Sequence, residues 1–104
     1  MKALLSAAVM AAFALSSGAA FADADAAMNK AGCMACHAKD KKLVGPAFKD
    51  IAAKYKGQDV AAKLFDKVRK GGSGSFGPIP MSPNGPDKIV DQDLKDAIAA
   101  ILKS

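Results

Sequence analysis

Three features of the sequence predict an all-α domain of about four short helices. Apolar residues recur at i, i+4 spacing through its second half, Asp, Pro and Gly stand where helices start and stop, and strand-like alternation is nearly absent. At 104 residues there is room for one domain and no more.

The first 22 residues read as a secretory signal peptide rather than as part of that domain. Met1-Lys2 supplies a positive end, and residues 3–15 form an apolar run interrupted only by Ser6. Ala20-Phe21-Ala22 then offers the small residues a signal peptidase reads, with cleavage expected before Asp23. The run is shorter than the ~20 residues of a membrane span, so no stable insertion is expected after cleavage. Removing 22 of 104 residues leaves a domain of 82, residues 23–104, with 14 basic and 10 acidic side chains and a net charge of +4. The expected destination is the periplasm, where two cysteines should be paired or covalently occupied. A chain this short buries a modest share of its surface and usually recruits a staple.

The helices follow in order. Asp23 or Asp25 can cap a first one running through residues 26–31 toward Cys33. Pro46 reads as the first-turn residue of a second, over residues 47–55, stopped by Gly57. Asp59 caps a third, in which Val60, Leu64 and Val68 share a face, and Gly71-Gly72 ends it. Residues 71–86 hold five Gly and four Pro without periodicity and read as a long functional loop. Asp91 caps the last helix, whose Leu94, Ile98, Ile101 and Leu102 form one apolar stripe. Phe48, Ile51, Leu64, Val68, Leu94 and Ile98 are the expected centre of the core.

Cys33-Met34-Ala35-Cys36-His37 is C-x-x-C-H, the attachment signature of c-type haem. Cysteines at i and i+3 on a helical turn share a face, so both sulfurs reach the two vinyl groups on one side of a porphyrin and add as thioethers. His37 then emerges beneath the same ring, within reach of the iron. Rival readings fare worse. A thioredoxin-like C-x-x-C wants a βαβ context. Structural zinc needs a fourth ligand, and the chain has one His and no second Cys pair. A disulfide between Cys33 and Cys36 would close a very small loop and stabilise little. The expectation is one covalently bound haem c per chain, supplying the missing staple.

Haem iron held by His alone is open to exogenous ligands, whereas a His/Met pair closes it and raises the reduction potential. Of three methionines after the signal peptide, Met34 sits too close to His37, and Met28 lies two turns earlier, where it packs in the core. Met81 follows 44 residues beyond His37, among Pro78, Pro80, Pro83 and Pro86. Proline fixes φ and restricts its neighbour, so this loop can hold a thioether over iron at modest entropic cost. A site that rearranges little between oxidation states suits electron transfer and leaves no position for substrate. No other constellation suits catalysis; Asp91, Asp93 and Asp96 read as helix capping and a solvated face.

Three blocks then resemble one family: Cys33-Met34-Ala35-Cys36-His37, Leu43-Val44-Gly45-Pro46-Ala47-Phe48-Lys49-Asp50 and Gly77-Pro78-Ile79-Pro80-Met81-Ser82-Pro83-Asn84 are similar to the small bacterial class I cytochromes c of the cytochrome c-551 type. The resemblance covers essentially all of residues 23–104. It implies the small class I cytochrome c fold, about four helices wrapped around one covalently attached haem, with His37 and Met81 as axial ligands. It further implies that the Pro46 carbonyl accepts the other ring N–H of His37, that Asn84 sits near the ligating sulfur, and that Tyr55 packs near the haem. Two departures stand out. Phe76 replaces a Trp whose indole N–H donates to a haem propionate, which Phe cannot do. Lys67 replaces an Arg at the same propionate and offers no bidentate fork.

The expected function is that of a monomeric, soluble one-electron carrier and not an enzyme. It would run between a membrane cytochrome complex as donor and a terminal oxidase or reductase as acceptor, in a respiratory or denitrification chain. The alternative is a ligand-binding or sensing haem protein with an open or displaceable sixth position. A peroxidase subunit is disfavoured because no second His is present for distal acid–base work. A mild positive charge without clustered Arg and interleaved aromatics excludes a nucleic-acid footprint. Lys39, Lys41 and Lys42 follow the haem motif and are expected to steer transient encounters with acidic redox partners.

Overall fold

The computed structural model describes residues 16–104, with side chains from Asp23 onward. Most of the signal peptide expected over residues 1–22 lies outside the described residues. Among those described there are four α-helices, α1 (Ser16–Ala31), α2 (Phe48–Lys54), α3 (Ala61–Lys70) and α4 (Asp91–Leu102), and a 3₁₀ turn, Cys33–Ala35, between α1 and α2. Backbone pairing outside helices is limited to two isolated antiparallel bridges, His37 with Lys42 and Gly72 with Met81. The all-α class and the four helices match the expectation. No helix among the described residues is long and apolar enough to cross a membrane.

The helix starts differ from the sequence reading, each for a local reason. α1 does not begin at Asp23 or Asp25; the alanine-rich stretch before them carries the helix back to Ser16. Pro46 stands before the N-cap position of α2, held by Ala47, rather than in its first turn. Asp59 falls one residue short of the N-cap of α3, Val60, and Asp91 is the first residue inside α4 rather than its cap. None of these three helices has a side-chain N-cap hydrogen bond. Asp91 and Asp93 still favour the first turn of α4 through the helix dipole. At the other end of α3 the reading holds: Gly71 adopts φ +72, which a residue with a β-carbon rarely adopts, and donates its N–H to the Lys67 carbonyl at 2.7 Å.

α4 is the hub, packing against α1, α2 and α3. Met28, Phe48, Ile89, Leu94, Ala97 and Ile98 form the buried cluster, so Met28 packs in the core as expected. Ile51, Leu64 and Val68 are only half-buried, although their sequence pattern marks them as core. The reason is that all three face a cavity of about 490 Å³ bounded by α2, α3, α4 and the loop after α3. Protein interiors are close-packed. A cavity of this size with an apolar wall is a ligand site.

Candidate haem-binding site

The attachment motif is placed by Gly32, whose φ of +87 turns the chain out of α1 into the 3₁₀ turn. With three residues per turn, side chains at i and i+3 eclipse, so Cys33 and Cys36 lie in line. The backbone N–H groups of Cys36 and His37 both donate to the Cys33 carbonyl, at 3.2 and 3.0 Å, which locks that alignment. The two cysteines are not joined by a disulfide. Burial pushes the Cys33 thiol above its ordinary pKa, outweighing its backbone hydrogen bond, and the neighbouring Cys36 raises it further. It is a protonated thiol at neutral pH rather than an activated thiolate.

His37 is fixed by the segment that follows it. Gly45 donates its N–H to the Cys36 carbonyl at 2.7 Å, folding the chain back beneath the motif. His37 Nδ1 then lies 2.8 Å from the Pro46 carbonyl oxygen. A carbonyl can only accept, so Nδ1 donates its N–H, and in the neutral ring this leaves the lone pair on Nε2. Phe48 stacks on the imidazole with centroids 5.3 Å apart and planes 25° from parallel.

Met81 enters the cavity wall from the opposite part of the chain. It exchanges both backbone hydrogen bonds with Gly72, at 3.0 and 2.9 Å, in the pattern of an antiparallel pair. A β-carbon on Gly71 would run into the Met81 carbonyl oxygen, so a glycine is required where the loop closes on itself. Cys33, Cys36, His37 and Met81 thus line one cavity together with Leu64 and Val68. About 490 Å³ lies within the ordinary range of small-molecule sites, roughly 300–1,000 Å³. Two aligned thiols, an imidazole with a free Nε2, a thioether and an apolar wall fit a haem.

Asn84 is not on the cavity wall. Its backbone N–H donates to the Val68 carbonyl at 2.9 Å, and its side-chain amide donates to the Ser82 carbonyl at 2.9 Å, just beyond Met81. Tyr55 and Phe76 do line the cavity and meet edge to face, with centroids 6.3 Å apart. The Lys54 ammonium lies 4.4 Å from the Phe76 centroid and also donates to the Ser75 carbonyl. Lys67 stands on the wall within 3.5 Å of the Ser73 carbonyl. Of the three lysines after the motif, Lys42 borders the cavity, whereas Lys39 pairs with Asp25 at 3.2 Å and lines a separate groove.

Sequence reasoning missed Arg69. Its guanidinium donates to the Asn84 carbonyl at 3.1 Å, to the Ile89 carbonyl at 2.8 Å and to Asp91 Oδ1 at 2.6 Å, with Cζ 5.0 Å from the Phe65 centroid. In the sequence it is one of several basic residues in the last turn of α3, and nothing local marks it out.

Among the described residues no group of three or more His, Cys, Asp or Glu is arranged to hold a metal ion. Comparison with known proteins identifies the family. The Cytochrome c family profile matches residues 21–104. The chain is 50% identical over 76 residues to cytochrome c2 of Rubrivivax gelatinosus, covering 72% of this chain and 89% of that protein. It is 49% identical over 71 residues to cytochrome c-551 of Pseudomonas aeruginosa, covering 67% and 68%. The crystal structure of Nitrosomonas europaea cytochrome c552 superposes with a TM-score of 0.68 at 44% identity, covering 76% of this chain and 96% of that one. The chain therefore belongs to the cytochrome c family, as a small class I member of the c-551 type, an electron-transfer protein that binds one covalent haem c.

Proposed function

We propose that this protein is a periplasmic one-electron carrier in which His37 and Met81 hold the haem iron from its two sides and Cys33 and Cys36 anchor the macrocycle through thioethers. The observation that carries this reading is the convergence of those four side chains on one apolar cavity. Haem, when bound, supplies a one-electron ferric/ferrous couple, and the chain supplies everything that holds it still. The Pro46 carbonyl fixes the His37 tautomer and raises the basicity of Nε2. The Gly72 pairing holds the Met81 backbone, so that the sulfur needs little rearrangement between oxidation states. Asn84 acts one step back, through the backbone at Ser82.

The cavity rim suits brief docking. Val44, Phe76 and Ile79 are exposed beside it, and Lys42 adds positive charge at the same edge. An apolar patch rimmed by lysine favours short-lived, salt-sensitive encounters with acidic redox partners. We assign those roles to a membrane cytochrome complex as donor and a terminal oxidase or reductase as acceptor, met by a monomeric carrier released by cleavage before Asp23.

The sensing alternative requires Met81 to leave the iron readily, which its paired backbone bonds to Gly72 oppose. Absorption spectroscopy decides between the two. A sulfur-to-iron charge-transfer band in the ferric protein, with no carbon monoxide binding when ferrous, is expected of the carrier. A Met81→Ala variant with an unchanged spectrum would show that another group is the sixth ligand.

A further inference from the structure

Between Met81 and the start of α4 the chain has no regular structure, so its backbone carbonyls are paired one at a time, some within the segment, as at Gly85, and some outside it. Two of them, at Asn84 and Ile89, are taken by one guanidinium nitrogen of Arg69, at 3.1 and 2.8 Å. The second nitrogen holds Asp91 in the first turn of α4 at 2.6 Å. The Arg69 side chain is 14% exposed and lies on the Phe65 ring, so its two carbonyl bonds are partly shielded from water, whereas the bond to Asp91, itself 70% exposed, is open to solvent. Next to it, the Val68 carbonyl accepts the Asn84 N–H. The end of α3 thus grips the Met81 loop at both ends: Gly72 holds Met81 itself, and Arg69 holds the return path into α4.

We propose that Arg69 is a positioning residue for Met81, its guanidinium setting how readily the sulfur withdraws from the iron. The proposal rests on Met81 being the sixth ligand. Arginine suits the task because its rigid fork reaches several acceptors at once, whereas a lysine is a flexible point charge. Hydrogen bonds to a charged donor are among the stronger ones, and truncating that donor leaves two partly shielded carbonyls without it. Loop opening, rather than helix stability alone, should therefore respond to its removal.

The test uses the haem-loaded ferric protein and cyanide as the probe, since cyanide reaches the iron only when Met81 leaves. The Arg69→Gln variant should bind cyanide roughly tenfold faster or more, and lose the charge-transfer band at a lower denaturant concentration than it loses helical circular dichroism. Asp91→Asn, which spares both carbonyl contacts, should change the cyanide rate by less than about threefold. Ala52→Gly, which loosens α2 without removing any bond that Arg69 makes, serves as the reference for general destabilisation. If Arg69→Gln lowers the helix midpoint but leaves the cyanide rate at the parent value, or if Ala52→Gly accelerates cyanide binding equally, the proposal is overturned. Absence of the charge-transfer band in the parent protein would instead overturn the Met81 assignment, and the proposal with it.

Discussion

The ring of His37 lies against the bare α-carbon of Gly45: a β-carbon there would sit 2.6 Å from Cε1, 2.9 Å from Nδ1 and 3.1 Å from Nε2. Gly45 is therefore chosen for close approach and not for an unusual backbone angle. Its neighbour Pro46 supplies the carbonyl that orients the same ring. One dipeptide thus provides both the space and the hydrogen bond that aim the imidazole.

Substituting Gly45→Ala should displace the ring at an overpacking cost of about 1–3 kcal/mol. The shift should appear in the reduction potential and in the visible spectrum, because the displaced group is an iron ligand in our proposal. Gly57→Ala provides the contrast. Gly57 has φ +76 with nothing within 4 Å of its would-be β-carbon, so alanine there should cost about 1 kcal/mol of backbone strain. Its potential should stay at the parent value. Denaturant titration alongside protein-film voltammetry checks both.

Met81→Ala should abolish the sulfur-to-iron band and open the ferrous protein to carbon monoxide. The backbone pairing with Gly72 does not depend on the side chain, so most helical signal should persist at room temperature. Absorption and circular dichroism on one sample test this; a variant that still refuses carbon monoxide would refute the ligand assignment.

A Cys33→Ala/Cys36→Ala variant should be largely unfolded. Ile51, Leu64 and Val68 are half-buried because they line the cavity, and without haem to cover them a short chain keeps too little buried apolar surface. Near-native far-UV ellipticity in the unliganded chain would contradict this.

Lys42→Gln should slow electron transfer with an acidic partner several-fold at low salt and flatten its ionic-strength dependence, because Lys42 borders the cavity. Lys39→Gln should do neither, since Lys39 pairs with Asp25 beside a different groove. Stopped-flow rates over a salt series separate the two lysines.

Mass spectrometry of protein recovered from the periplasm should give residues 23–104 plus one haem. Cleavage there would shorten α1 to start at Asp23, leaving two acidic residues in its new first turn, where the helix dipole favours them. Ala24 and Met28, at 1% and 2% exposure, would keep the shortened helix docked.

The sequence alone determined whatever depends on near neighbours. The i, i+3 spacing of Cys33 and Cys36, the helical stripes of α3 and α4, the stop at Gly71 and the proline-stiffened approach to Met81 are local properties, and local sterics and periodicity express them directly. Helix starts were read less well, because Asp59 and Asp91 satisfy the capping preference without serving as caps. Asp91 is engaged instead by Arg69, 22 residues away. Tertiary structure alone decided that Arg69 would grip Asn84 and Ile89 and that Gly45 would meet the His37 ring. Those relationships arise only once α3, α4 and two loops are docked, because a side chain's partners are set by what packing brings within about 3 Å and not by its place in the chain.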